Sequence, residues 1–147
     1  MPRVLVSALV FGGFGSIFAF LVLNHFSPEG KDDWHSLVVC SGLAAFGVSF
    51  VLWRFFCTPH PKVSGRRGAL VGALTGLITH PVAWYLAMVW MYMTGARSSL
   101  GDRTVNPFEG LLASLIYSLG SIVLVGWFTV LAGGFIGWIL GRIMRSG

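Results

Sequence analysis

The sequence predicts an all-α fold: a four-helix transmembrane bundle with short connecting loops and a long, tilted fourth helix. Three observations predict it: the composition, four uncharged apolar runs, and the distribution of charge between the connecting segments. Of the 147 residues, 55% are hydrophobic and 10% are charged, whereas a soluble domain carries about 25% charged residues. A small water-soluble fold cannot hide so much apolar surface, so we expect one integral membrane domain over residues 1–147.

Four runs without Asp, Glu, Lys or Arg are the predicted spans, at residues 4–23, 36–53, 69–93 and 110–140. A helix rises 1.5 Å per residue and needs about 20 apolar residues to cross a hydrocarbon core of about 30 Å. Helices are expected because lipid cannot satisfy free backbone groups. The fourth run is too long for one upright crossing and too short for two with a turn, which predicts one tilted or overhanging helix.

The charged residues divide between the two sides of the predicted bundle. The two tails and the second loop hold seven basic residues and no acidic ones: Arg3, Arg54, Lys62, Arg66, Arg67, Arg142 and Arg145. The first and third loops hold three basic and five acidic residues: Glu29, Lys31, Asp32, Asp33, Arg97, Asp102, Arg103 and Glu109. Because the side richer in Lys and Arg faces the cytoplasm, both termini are predicted there, in a bacterial plasma (inner) membrane or an organelle membrane.

The net charge of +5 does not imply a nucleic-acid partner. The basic residues lie beside the ends of the predicted spans, where the lipid bilayer offers anionic headgroups worth about 1 kcal/mol for each charge. Four of them, on the second loop, are predicted to contact headgroups: Arg54, Lys62, Arg66 and Arg67.

Glycines at helical spacing predict how the helices pack. The third span opens with Gly68, Gly72 and Gly76, and the fourth closes with Gly133, Gly137 and Gly141. Small residues at every fourth position form a groove in which two helix backbones approach closely. These two glycine zippers predict that the cytoplasmic ends of the third and fourth helices clamp together.

His80 is the candidate intramembrane polar site, because ionisable groups at membrane depth are expensive and are functional candidates by default. It continues the stripe of Gly72 and Gly76, and antiparallel counting from a Gly72–Gly137 pair places Thr129 across from it. A structural role would be a neutral imidazole bonded to Thr129 or Thr79, or one that satisfies the helix defect at Pro81. A proton, ion or substrate role and cofactor ligation are the alternatives.

Cofactor and metal sites have little support in the sequence. A bis-histidine haem needs a second histidine at the depth of His80, and the sequence offers none. The first loop carries His25, His35 and three carboxylates, without a recognised ligand spacing. We therefore predict no cofactor and no metal site.

Catalytic motifs are likewise missing from the sequence, and an enzyme is disfavoured. The serines of the fourth span, Ser114, Ser118 and Ser121, are expected to bond their own helix, with His80 deeper in the membrane than they are. The favoured function is a small non-catalytic membrane protein: an accessory, assembly or stabilising subunit that binds other membrane subunits or itself. The alternative is a homo-oligomeric transporter or channel that uses His80 with Thr79 and Thr129.

Overall fold

The computed structural model describes residues 2–26, 31–59, 63–95 and 106–144. Over these ranges the chain is helical and contains no strand. The helices are α1 (Pro2–Phe26), α2 (Lys31–Phe56), α3 (Gly65–Thr94), α4 (Pro107–Ser121) and α5 (Trp127–Ile143). A π-helical segment, Ile122–Gly126, joins α4 to α5, and we call the continuous helix Pro107–Ile143 the fourth helix. Four helices are therefore long and apolar enough to cross a membrane.

Local capping explains where two of the helices begin and end. The Ser64 side chain accepts a hydrogen bond from the Arg67 backbone N–H at 3.2 Å at the start of α3. Gly95 ends the same helix with φ +67°, a left-handed conformation that favours glycine. Asn106 Oδ1 accepts from the N–H groups of Phe108 and Glu109, both at 3.0 Å, at the start of α4. These caps satisfy backbone groups that the helix itself leaves without partners.

The four helices pack in chain order, and the bundle has one open seam. α1 packs on α2, α2 on α3, and α3 on both α4 and α5. Among the described residues α1 scarcely contacts the fourth helix. One contact that does cross the seam is the stack of the Phe18 and Phe128 rings, whose centroids lie 5.4 Å apart.

One end of the bundle carries the N-terminus, the α2–α3 connection and the end of α5. Val4, Cys57, Val63 and Met144 belong to a single buried apolar cluster, so these three parts of the chain meet. The described arginines all lie at this end, which we call the basic end: Arg3, Arg54, Arg66, Arg67 and Arg142. The described chain places no acidic residue there, and Glu109 lies at the opposite end, in the first turn of α4.

Cys57 is a buried thiol at the basic end, just beyond the span of α2. Its side chain is 3% exposed, and this burial raises the pKa of the thiol to about 11, against the opposing effect of the Arg67 charge. A thiol so placed is a weak nucleophile, because the thiolate is the reactive form.

We expect alkylation of Cys57 by iodoacetamide in the folded Cys40→Ala protein to rise with pH toward a midpoint near 11, not near the ordinary 9.0. The thiol loses its proton at a lower pH in the unfolded protein than in the folded protein. The contribution of this group to the free energy of unfolding is therefore fully present below pH 9.0 and is lost as the pH rises through 11. The measurement is the alkylation rate against pH, with the denatured protein as control. A midpoint near 9.0 in the folded protein would contradict the buried placement.

Candidate functional site

The site begins where α3 and α5 approach each other backbone to backbone. A methyl group added at Gly72 would contact the carbonyl oxygen of Gly133 and lie 3.0 Å from the Cα of Gly137. One added at Gly68 would contact the carbonyl oxygen of Gly137 and lie 3.2 Å from the Cα of Gly141. The structure thus brings the two predicted glycine stripes together, with Gly68 and Gly72 each seated between two glycines of α5.

The same stripe continues along α3 to the polar site. A methyl group at Gly76 would lie 2.9 Å from the carbonyl carbon of Thr129 and 3.2 Å from the Cα of Val130. One turn further on, His80 comes level with the side chain of Thr129. Because the glycines have no side chains, the backbone of the fourth helix can approach α3 closely enough for the imidazole of His80 to reach Thr129.

His80 bonds the fourth helix through both of its ring nitrogens. Nε2 lies 2.8 Å from Thr129 Oγ1, and Nδ1 lies 2.9 Å from Ser121 Oγ. Trp84, one turn after His80, donates its indole N–H to the same Ser121 Oγ at 3.3 Å. His80, Trp84, Ser121 and Thr129 thus form a hydrogen-bonded cluster from two helices. Within it, each side chain supplies the hydrogen-bond partner that water supplies outside a membrane.

The hydroxyl partners indicate where the protons of this cluster lie. Thr129 Oγ1 donates to the Gly126 carbonyl at 2.9 Å, so it accepts the proton of His80 Nε2. Ser121 Oγ–H reaches either His80 Nδ1 or the Ser118 carbonyl, 3.0 Å away. A neutral imidazole with its proton on Nε2 satisfies both ring nitrogens, since Nδ1 then accepts from Ser121.

The π-helical segment is what brings Ser121 and Thr129 to one side of the fourth helix. Residues eight apart in a regular α-helix point about 80° away from each other. The wide turn of Ile122–Gly126 lies between them and holds one residue more than a regular α-helical turn. The rotation from Ser121 to Thr129 is therefore about that of seven residues in a regular helix. Their two side chains consequently point from nearly the same face. His80 therefore bonds Ser121 directly, while its greater depth in the membrane stays a prediction.

Thr79, the third member of the predicted polar site, does not bond the imidazole in this structure. Its hydroxyl donates to the Thr75 carbonyl of its own helix at 2.7 Å. Thr75 does the same one turn earlier, to the Val71 carbonyl at 2.8 Å. Ser114 and Ser118 bond carbonyls of their own helix, each at 2.8 Å, as the sequence predicts.

A cavity of about 360 Å³ lies next to this cluster and is lined by all four helices. α1 contributes the rings of Phe11, Phe14 and Phe18, and α3 contributes Ala83 together with His80. The side chains that line it carry no formal charge apart from the titratable imidazole. The site therefore consists of a hydrogen-bonded polar cluster facing an otherwise apolar cavity.

The other predicted contact residues lie away from this cavity. Arg54 and Arg66 are exposed at the basic end, Arg67 is half-buried there, and Lys62 lies outside the described residues. Among the described residues no group of three His, Cys, Asp or Glu could hold a metal ion. Residues 27–30 of the first loop, including Glu29, are also outside the described residues.

Comparison of the chain with protein-family models, with curated proteins and with solved structures finds no match.

Proposed function

We propose that the chain is a small non-catalytic integral membrane protein that serves as an accessory, assembly or stabilising subunit of a larger membrane complex. The observation that carries this proposal is the use of the polar side chains within the spans. The hydroxyls of Thr75, Thr79, Ser114 and Ser118 bond carbonyls of their own helices. The imidazole of His80 bonds two hydroxyls of the neighbouring helix. The bonds of His80 hold two helices together, and the four hydroxyls are already satisfied within their own helices, so both observations support packing as the role of the spans.

The outward face of the fourth helix supports the binding of other subunits. Its buried glycines, Gly110, Gly133, Gly137 and Gly141, face inward, and large apolar side chains are exposed: Leu112 by 67%, Val123 by 79% and Leu131 by 66%. Packing of side chains drives helix association within lipid, so a partner helix would gain contact along this face.

The distribution of arginines supports a cytoplasmic location for both termini. The basic end carries the N-terminus and the end of α5, and Lys and Arg favour the cytoplasmic side. Single cysteines at two exposed positions, His35 and Pro59, in a Cys40→Ala/Cys57→Ala background test this topology. In intact cells, a membrane-impermeant maleimide should label His35→Cys and reach Pro59→Cys only after permeabilisation. The opposite pattern would invert the proposed topology.

The subunit role is tested by purifying the protein from its native membrane in lipid nanodiscs and measuring the mass of the intact particle. We expect unlike membrane subunits in fixed stoichiometry with this chain. Replacement of outward Leu112 and Val123 with alanine should reduce the recovery of these partner subunits, while the alanine variant of Arg54, which is exposed at the basic end, serves as control. A particle that contains this chain alone would contradict the proposal.

A homo-oligomeric transporter or channel is the second candidate function. The observation that favours it is the position of His80, which lines a cavity bounded by all four helices at membrane depth. This candidate requires flux across a bilayer that depends on the imidazole of His80, and not only on the packing to which that imidazole contributes.

A further inference from the structure

The cavity beside His80 is too large and too apolar to be left empty or filled by water. Well-packed protein interiors have few voids larger than one water molecule. A volume of about 360 Å³ corresponds to about a dozen waters in the liquid. Each of these waters would need two or more polar partners, yet the walls are mostly side chains such as Phe14, Val22, Leu37 and Ala83. An apolar occupant is therefore favoured.

The polar groups of α3 at the cavity wall do not require a polar ligand. Both ring nitrogens of His80 have partners on the fourth helix, and the hydroxyls of Thr75 and Thr79 bond backbone carbonyls. A polar headgroup placed among them would have to break these bonds. A hydrocarbon chain can lie against the cluster and leave every one of them intact.

The dimensions of the cavity distinguish a lipid chain from a helix of a partner protein. Along α1 the lining runs from Phe11 to Leu23, a length of about 18 Å at 1.5 Å per residue. One leaflet of the hydrocarbon core is about 15 Å thick, so the cavity has the length of one acyl chain. A helix about 10 Å wide does not fit between α1 and the fourth helix, where the Phe18 and Phe128 rings stack with their centroids 5.4 Å apart.

The packing order of the helices indicates the entry route. Every neighbouring pair in the chain is packed, whereas α1 scarcely contacts the fourth helix among the described residues. The lining ends at Leu23 and Leu37, near the ends of α1 and α2 that the first loop connects. A chain would therefore enter sideways from the bilayer, through the seam between α1 and the fourth helix, with its headgroup on the first-loop side.

We propose that this cavity is a binding site for a single acyl chain of a bilayer phospholipid, taken from the leaflet on the first-loop side. The terminal methyl of the chain would lie toward the deep end of the cavity, in the direction of Phe11 and Thr75. The chain would complete the wall that α1 and the fourth helix leave open. This site depends neither on the proposed topology nor on the subunit role.

The test uses the full-length protein in vesicles of phosphatidylcholine and phosphatidylglycerol that contain a trace of phosphatidylcholine with a diazirine at the end of one acyl chain. After illumination, the labelled residues are identified by mass spectrometry. Phe14 and Thr79 line the cavity and are half-buried, so a chain inside it can reach their side chains. We expect label at both positions in addition to label on the outward faces.

Two matched substitutions on α1 distinguish labelling by lipid inside the cavity from labelling by lipid on the outer surface. Ala19→Trp adds bulk inside the cavity, whereas Leu21→Trp adds it at a side chain that is 59% exposed. Label at Phe14 and Thr79 should fall by about tenfold in Ala19→Trp and stay unchanged in Leu21→Trp. If Ala19→Trp does not fold, Val22→Phe takes its place. Label confined to outward residues, or label at Phe14 and Thr79 that survives cavity filling, would overturn the proposal.

Discussion

Replacing Gly72 with leucine should destabilise the protein by at least about 3 kcal/mol, because overpacking against backbone cannot be relieved by a change of rotamer. The first carbon of the new side chain would meet the carbonyl oxygen of Gly133 and lie 3.0 Å from the Cα of Gly137. α3 and α5 would have to separate, and the bond from His80 to Thr129 would lengthen with them. Unfolding in mixed detergent micelles measures the loss.

Adjacent glycines provide the control for this prediction. In α5, Gly137→Ala would bring a methyl group into contact with the Gly68 carbonyl oxygen, whereas at Gly134 the nearest atoms lie 3.6 Å and 3.7 Å away. We expect a loss of about 1–3 kcal/mol for Gly137→Ala and almost none for Gly134→Ala. Equal stability of the Gly72→Leu and Gly137→Ala variants and the wild type would show that the close approach of the two helices contributes nothing.

Replacing His80 with alanine should lower the free energy of unfolding by about 1–3 kcal/mol, since hydrogen bonds between helices in lipid are worth about 0.6 and at most 1.7 kcal/mol each. The substitution removes the bonds to Ser121 and Thr129 together. It also leaves Trp84 bonded to Ser121 without the imidazole beside it. Unfolding of the purified variant measures the loss.

A double-mutant cycle isolates the bond between His80 and Thr129. Thr129→Val keeps the shape of the side chain and removes the hydroxyl. We expect a coupling energy of about 0.6–1.7 kcal/mol between His80→Ala and Thr129→Val. The matched pair is Thr79→Val, whose hydroxyl bonds the Thr75 carbonyl instead and should show no coupling to His80. A coupling as large for Thr79 as for Thr129 would contradict the hydrogen-bond assignment.

The features that the sequence predicts well are those that arise from simple periodicity. Four uncharged runs predict four helices, because lipid tolerates only helices there, and four helices of suitable length are present. A four-residue spacing also determines which face of α3 carries Gly72 and His80. Antiparallel counting from that face places Thr129 opposite His80, and the two side chains lie 2.8 Å apart. Whether His80 has a function beyond this bond stays a prediction.

The features that the sequence does not predict depend on departures from regular helix. Counting in steps of 3.6 residues puts Ser121 on a different face and at a different depth from Thr129. The π-helical segment brings the two together, and its sequence, Ile-Val-Leu-Val-Gly, resembles any other apolar stretch of a span. The β-branched residues between Gly120 and Gly126 are a weak signal, since such residues and glycine lower helix propensity. The cavity could not be predicted either, because it depends on which pair of helices stays apart.

The central claim is that His80 and its hydrogen-bond partners hold two helices together and do not conduct protons. Proton flux into liposomes that contain the wild-type protein, His80→Ala or Thr129→Val tests it most directly when the stability of each protein is measured alongside. We expect no flux above that of empty liposomes for any of the three, together with a clear loss of stability in both variants. Flux through the wild type that disappears in His80→Ala, survives in Thr129→Val and is accompanied by unchanged stability would contradict the claim.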